Sequence, residues 1–269
     1  MGILKVAAAA IVAASCVGSE AQELGARTST GLNLGLSLSN YRYEEDVNNS
    51  YFMSLEGKKL AVLGQYTRTF AKQMFWNVDG RFANGALDYD SAGSGSKSGN
   101  PDWYFEVRGT VGRDFILGSQ VLAPYAGLGM RYLMNDLRGR TTSGASGYRR
   151  SSTYIYLPVG ITHRMGAGAG GRIATTLEFD ALLDGTQRSY MTDINGYTSD
   201  LVNKQRSGHG VRFSLAYERT SWSVAAFWQV WDIAKSDTAY FTSATALYSG
   251  YEPHNTTQEV GLQLKWHIL

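Results

Sequence analysis

The residues whose types could do chemistry are four histidines, His163, His209, His254 and His267, with the serines and carboxylates of the polar segments. Activating water as a general base needs a base and its orienting partner within hydrogen-bond reach. A later polar segment, LLDGTQRSYMTDINGYTSDLVNKQRSG, supplies Asp184, Asp193 and Asp200 but no histidine; His209 follows it with no aspartate two residues earlier. His163, His254 and His267 are scattered without metal-ligand spacing. Clusters such as GAGAGG lack the Lys-Ser/Thr of a phosphate loop and read as turn material. No segment presents serine and histidine together for nucleophilic catalysis. The sequence implies no metal and no cofactor.

What must position these residues is a run of strands. From Thr30 to the C-terminus apolar and polar residues alternate in ten segments, the period of a two-faced strand. Leu32, Leu34, Leu36 and Leu38 oppose Asn33, Ser37 and Ser39; Met74, Trp76, Val78 and Phe82 oppose Asn77, Asp79 and Arg81. Each run of about 9–12 residues matches a tilted crossing of a bilayer. The joints alternate in length. Arg42–Gly57, Leu87–Asp102, Asn135–Ser152, Leu182–Gly208 and Asp232–Thr257 are long and polar, while AKQ, LGSQ, MGAGAGG and ERTS are tight. A soluble β-sandwich also alternates, with its apolar face inside. Strand length, segregated loops and aromatics near the ends of the apolar faces (Tyr66, Trp76, Trp103, Tyr132, Tyr217, Trp222, Trp266) favour the inverted case. The expected fold is all-β: a ten-stranded antiparallel up-and-down transmembrane β-barrel with lipid against its greasy face.

The beginning of the chain agrees. MGILKVAAAAIVAASCVGSEAQE has one lysine, a short apolar run and small residues before Ala21, which reads as a secretory signal peptide over residues 1–21. Lipidation at Cys16 is the rival processing. Residues 22–269 are then the barrel with five long extracellular loops. Cys16 is the sole cysteine, so the mature chain carries no disulfide. A net charge of +2 argues for no nucleic-acid partner.

If lipid meets the apolar face, the pleat points Asp79, Arg81, Glu106, Arg108, Arg131, Glu178, Asp180, Arg212, Glu218 and Lys265 into the lumen. Five acids and five bases predict a paired network filling the interior, because an unpaired charge in a narrow low-dielectric space is costly. A narrow solute path through the same residues is the alternative.

A leader, ten strands, tall loops on one side and a closing amphipathic strand resemble bacterial outer-membrane barrels, and the strand count resembles the omptin surface proteases. The omptin resemblance implies an Asp-x-Asp pair after strand three that helps activate water, matched here by Asp88 and Asp90 in ALDYDSAG as catalytic candidates, facing an Asp-x-His pair in the fourth outer loop that this chain lacks; without that partner the two read equally as a solvated loop rim. The final EVGLQLKWHIL, with Glu259, Gly261, Leu264 and Trp266, is similar to the C-terminal insertion signal of such barrels, though it runs three residues past the aromatic. The resemblance implies outer-membrane lipid, lipopolysaccharide and the barrel-assembly machinery as partners, with both termini periplasmic. Basic loop residues Arg149, Arg150, Lys204 and Arg206 either meet lipopolysaccharide phosphates or acidic extracellular partners or are simply solvated. The functional expectation is a structural, adhesive or ligand-interacting surface protein, with a narrow porin and an omptin-like hydrolase as alternatives.

Overall fold

The computed structural model describes residues 26–268, Ala169 excepted. The leader, its cleavage site and Cys16 lie outside the described residues. In chain order the strands are β1 (Gly31–Val47), β2 (Ser50–Phe70), β3 (Met74–Ser91), β4 (Gly95–Arg113), β5 (Phe115–Leu117), β6 (Gln120–Arg140), β7 (Ser146–Gly166), β8 (Arg172–Ser189), β9 (Leu201–Gln205), β10 (Gly208–Glu218), β11 (Trp222–Ile233), β12 (Ala239–Thr242), β13 (Leu247–Gly250) and β14 (His254–His267). Ten of them form the wall, each antiparallel to the next, in the order β1-β2-β3-β4-β6-β7-β8-β10-β11-β14. The last stave returns to the first, from Asn33 opposite His267 to Asp46 opposite His254, so the ring is closed. Closure leaves no free wall edge for another chain to pair with.

The wall carries an apolar belt. Leu34, Leu36, Leu38, Leu60, Val62, Leu128, Leu177 and Leu262 all face outward and exposed, Leu262 at 61%. Aromatic pairs border the belt at both ends: Tyr66–Trp76 (centroids 5.3 Å) and Tyr217–Trp222 (5.9 Å) toward the tight turns, Trp103–Tyr132 (5.4 Å) toward the long hairpins. An apolar band between aromatic girdles is what a bilayer demands of a spanning barrel.

The staves are longer than the alternating runs suggest. β1 to β8 contain wall strands of 17–21 residues, and much of what reads as loop is strand continued beyond the belt. The expected Arg42–Gly57 loop is instead a hairpin whose turn is Asn48-Asn49, both at positive φ (53° and 60°), the conformation a two-residue type I′ turn requires and asparagine tolerates. The reason lies in the solvent. Past the belt the outer face meets water, so the apolar set moves inside: Tyr41, Tyr43, Met53, Leu55, Leu87, Leu133, Tyr154, Trp231 and Ile233 form a buried core within the long-hairpin half of the tube.

Glycines let large rings lie flat on the inner wall. A Cβ at Gly129 would stand 2.3 Å from the Tyr156 ring, and one at Gly160 would stand 2.4 Å from the Tyr125 ring. Each pair is directly cross-strand or nearly so on β6 and β7. Both tyrosines carry hydroxyls into the charged interior, so the glycines set where those hydroxyls sit. Gly129→Val should destabilise the barrel by about 1–3 kcal/mol through this overpacking. The check is the temperature at which the compact unboiled band is lost on a gel; an unchanged temperature would refute the seating.

Candidate functional site

The interior is layered. At mid-height Glu259 accepts from Ser39 Oγ (2.5 Å), Arg81 (2.6 Å), Tyr104 Oη (2.7 Å) and Gln229 Nε2 (2.7 Å), drawing together β14, β1, β3, β4 and β11. Beside it Glu106 accepts from Arg212 and Tyr156, while Arg212 also reaches Asp180 at 2.5 Å and Glu178 at 3.2 Å. Arg108 joins Asp79 (2.9 Å) to Glu178, which takes a further hydrogen bond from Tyr125 at 2.7 Å. Arg131, fully buried, lies over the Tyr104 ring (4.3 Å) with Glu106 only at 4.0 Å. Cation–π contact here supplies part of what a direct carboxylate bond would.

Asp79, Arg81, Glu106, Arg108, Arg131, Glu178, Asp180 and Arg212 meet with Glu259 in one connected layer. Glu218 sits apart nearer the tight turns, held by Arg172. Lys265 also lies there and bonds Gln65 Oε1 at 3.2 Å. Two further buried charges belong to the interior: Lys59 pairs with Asp102, which also accepts from Asn135. They sit at the border between belt and hairpin, where the alternating run starts and stops; continuing the alternation by one step would have found both.

Above this layer the aromatic core fills the tube, and above the core lies a second buried cluster. Arg150 bonds Glu45 Oε1 (2.5 Å) and Glu252, while Tyr43 Oη stands 2.8 Å from the first carboxylate and 2.9 Å from the second. Arg150 was expected on an exposed basic loop. It is 5% exposed and faces the interior, because β7 extends through Ser146 and its alternation points this side chain inward. Arg149, one residue earlier, turns outward and clasps Asp193 at 2.7 Å. Burial drives the Glu252 carboxyl up to about 8, with Arg150 opposing and Glu45 adding to the rise.

The acidic pair of the sequence gathers no site. Asp88 and Asp90 lie on the outer face of β3, since Leu87 and Tyr89 occupy the inward positions. Asp88 accepts the Gly99 amide (2.9 Å) and Asp90 the Tyr51 hydroxyl (2.9 Å), both ordinary hairpin contacts. His209 is likewise outward and stacks on Phe179 (5.6 Å). A histidine does meet carboxylates elsewhere: His254 Nε2 is 3.2 Å from Asp232 and its Nδ1 is 3.8 Å from Asp46. That group belongs to β14, β11 and β1, with β2 between it and the stave of Asp88. Among the described residues no group of three or more histidine, cysteine, aspartate or glutamate side chains is placed to hold a metal ion.

A closed ten-stave barrel with an exposed apolar belt and a charged lumen defines the class: this is a transmembrane β-barrel of the outer-membrane type. Comparison with solved structures gives the same fold. The chain is similar to the outer membrane protease OmpT from Escherichia coli, at TM-score 0.58 and 10% identity, covering 91% of this chain and 100% of that one. An outer membrane channel from Pseudomonas putida F1 aligns at TM-score 0.43 and 8% identity over 93% of this chain and 100% of that one. The translocator domain of the autotransporter NalP from Neisseria meningitidis aligns at 0.41 and 10% identity over 88% of each chain. Neither a family model nor a curated protein matches the sequence.

Proposed function

We propose that this chain is a non-conducting surface barrel of the bacterial outer membrane whose long hairpins form an adhesive or ligand-binding platform. In this reading the hairpins face the exterior, both termini face the periplasm, and lipopolysaccharide surrounds the wall above the belt. The observation that carries it is a tube blocked from mid-height to the hairpin end. A connected layer of ion pairs at mid-height and an aromatic core above it occupy the lumen, which a porin would keep open. The hairpin end supports a binding role on its own account. Tyr51, Phe52, Tyr240, Leu247 and Tyr248 stand exposed there, and Tyr240 and Leu247 are each 66% exposed on the β12–β13 hairpin. Exposed aromatic clusters away from lipid mark contact surfaces.

The test is twofold. Purified barrel reconstituted in planar bilayers is expected to give no discrete conductance steps; regular steps would replace this reading with the narrow porin. Cells displaying the barrel are expected to adhere to surfaces or to one another, and the triple change Tyr240→Ser, Leu247→Ser, Tyr248→Ser to remove that adhesion. Adhesion equal to wild type would locate the platform elsewhere or abolish it.

A further inference from the structure

We propose that the tight-turn half of the lumen is a binding site for a small phosphate-type oxyanion. Below the mid-height charge layer the tube is not filled. A cavity of about 580 Å³ runs from that layer to the tight-turn end, where Gly170 and Thr220 line it. That volume lies within the range of small-molecule sites. Among the described residues its lining brings eight arginine or lysine residues against four carboxylate residues. A cleft with an excess of one sign within low-dielectric walls attracts the opposite charge.

The excess resolves into particular side chains. Arg81, Arg108 and Arg212 are occupied by the carboxylates of the mid-height layer, and Arg172 by Glu218. Lys265 and Arg164 line the cavity from β14 and β7, and no carboxylate oxygen lies within ion-pairing distance of either among the described residues. Lys265 donates to the neutral Gln65 amide at 3.2 Å and Arg164 to the Thr28 hydroxyl at 3.1 Å, while Asp79 and Glu218 act on Lys265, and Glu218 and Asp114 on Arg164, only through space. These staves stand four places apart around the ring of ten, so the cations approach the cavity from well-separated directions. A tetrahedral oxyanion accepts donors from several directions. A planar carboxylate is matched best by one guanidinium fork.

The segment before β1 gives the cavity a partial floor. Thr28 is gripped by Asp114 through its amide (2.6 Å) and hydroxyl (2.8 Å), and the Arg27 carbonyl accepts from Arg172 at 3.1 Å. The chain therefore crosses beneath the lumen from β1 toward β4 and β8.

The experiment uses the mature barrel in a zwitterionic detergent at low ionic strength, titrated with inorganic phosphate and followed by phosphorus NMR line width and by calorimetry. Saturable binding is expected, weakened by added NaCl. Lys265→Gln and Arg164→Gln should each weaken it about tenfold, and Arg188→Gln on the exposed hairpin end should leave it unchanged. Repeating the titration with glycerol 3-phosphate separates free phosphate from a phosphate-bearing solute: tighter binding of the ester assigns the site to the latter, and equal or weaker binding to the free ion. Absence of saturable binding overturns the proposal, as does binding that NaCl does not affect or that survives both interior substitutions. The NaCl arm needs only wild-type protein and so holds even where a variant fails to fold. These outcomes are independent of conductance and adhesion.

Discussion

Replacing Arg150 with methionine should open the long-hairpin half of the barrel while leaving the lipid-embedded half folded. Arg150 is the only cation bonded to the two buried carboxylates of Glu45 and Glu252 among the described residues. Removing one partner of a buried ion pair costs about 3–5 kcal/mol, because the remaining charge is stranded. Hydrogen exchange in the segments around Tyr43 and Glu252 should accelerate by roughly two to three and a half orders of magnitude, at about 1.4 kcal/mol per decade. Segments at Leu36 and Leu262 should keep wild-type protection, since the Glu259 layer does not include this cluster. Protection unchanged near Tyr43 would show that the aromatic core alone holds this end.

The same cluster gives a pH dependence with a definite sign. A phenol has one hydrogen, yet Tyr43 Oη lies at bonding distance from both carboxylates, so one of the two must hold a proton for both contacts to be favourable. Glu252 is that group, its carboxyl raised from 4.5 to about 8 chiefly by burial. A raised folded value means that the folded state keeps a proton the unfolded chain releases. The stabilisation is complete below about 4.5 and is lost as pH rises through about 8. Glu252→Gln, which copies the protonated form, should match wild type at acid pH and exceed it at alkaline pH. Equal loss of protection in both proteins on raising the pH would remove Glu252 as the cause.

The belt was legible in the sequence because lipid outside and charge inside impose one rule on every stave: Leu34, Leu36 and Leu38 against Ser37 and Ser39 suffices. Closure followed from the even count and the amphipathic last strand. The hairpins were not legible for the same physical reason. Beyond the belt both surroundings change, water outside and side chains inside, so the apolar positions shift to the inner face at Tyr41, Met53 and Leu87 and the continuous greasy run ends. Glu45, Arg150 and Glu252 then look like solvated loop residues.

Partners within the layer were hidden for another reason. The pleat says that Arg81 and Glu106, opposite each other on β3 and β4, both point inward. It does not say that Arg81 crosses the lumen to Glu259 or that Glu106 reaches Arg212 on β10. Those choices depend on how curvature and stagger bring distant staves to one height. The exposed outer position of Asp88 and Asp90 follows from the same alternation, carried past Phe82 through Asn84 and Ala86.

Glu259→Ala should be the most damaging single change in the membrane-embedded half. The carboxylate is fully buried and accepts from side chains on four other staves, among them Ser39 on the stave that closes the ring. Its loss strands Arg81, whose only ion pair among the described residues it is. The cost is again about 3–5 kcal/mol for the charge, with the neutral donors adding about 1 kcal/mol or more. Glu259→Gln retains an acceptor but not the charge, so it should fall between wild type and alanine. The order is read from the temperature at which the compact band converts to the extended one after refolding in detergent. Refolding also separates two roles that the sequence places on one residue. If Glu259 acts only within the insertion signal with Gly261, Leu264 and Trp266, its substitution will impair assembly in cells and leave the purified refolded barrel unaffected. A structural carboxylate lowers the conversion temperature of purified protein, where no assembly machinery is present, and that lowering is the result expected here.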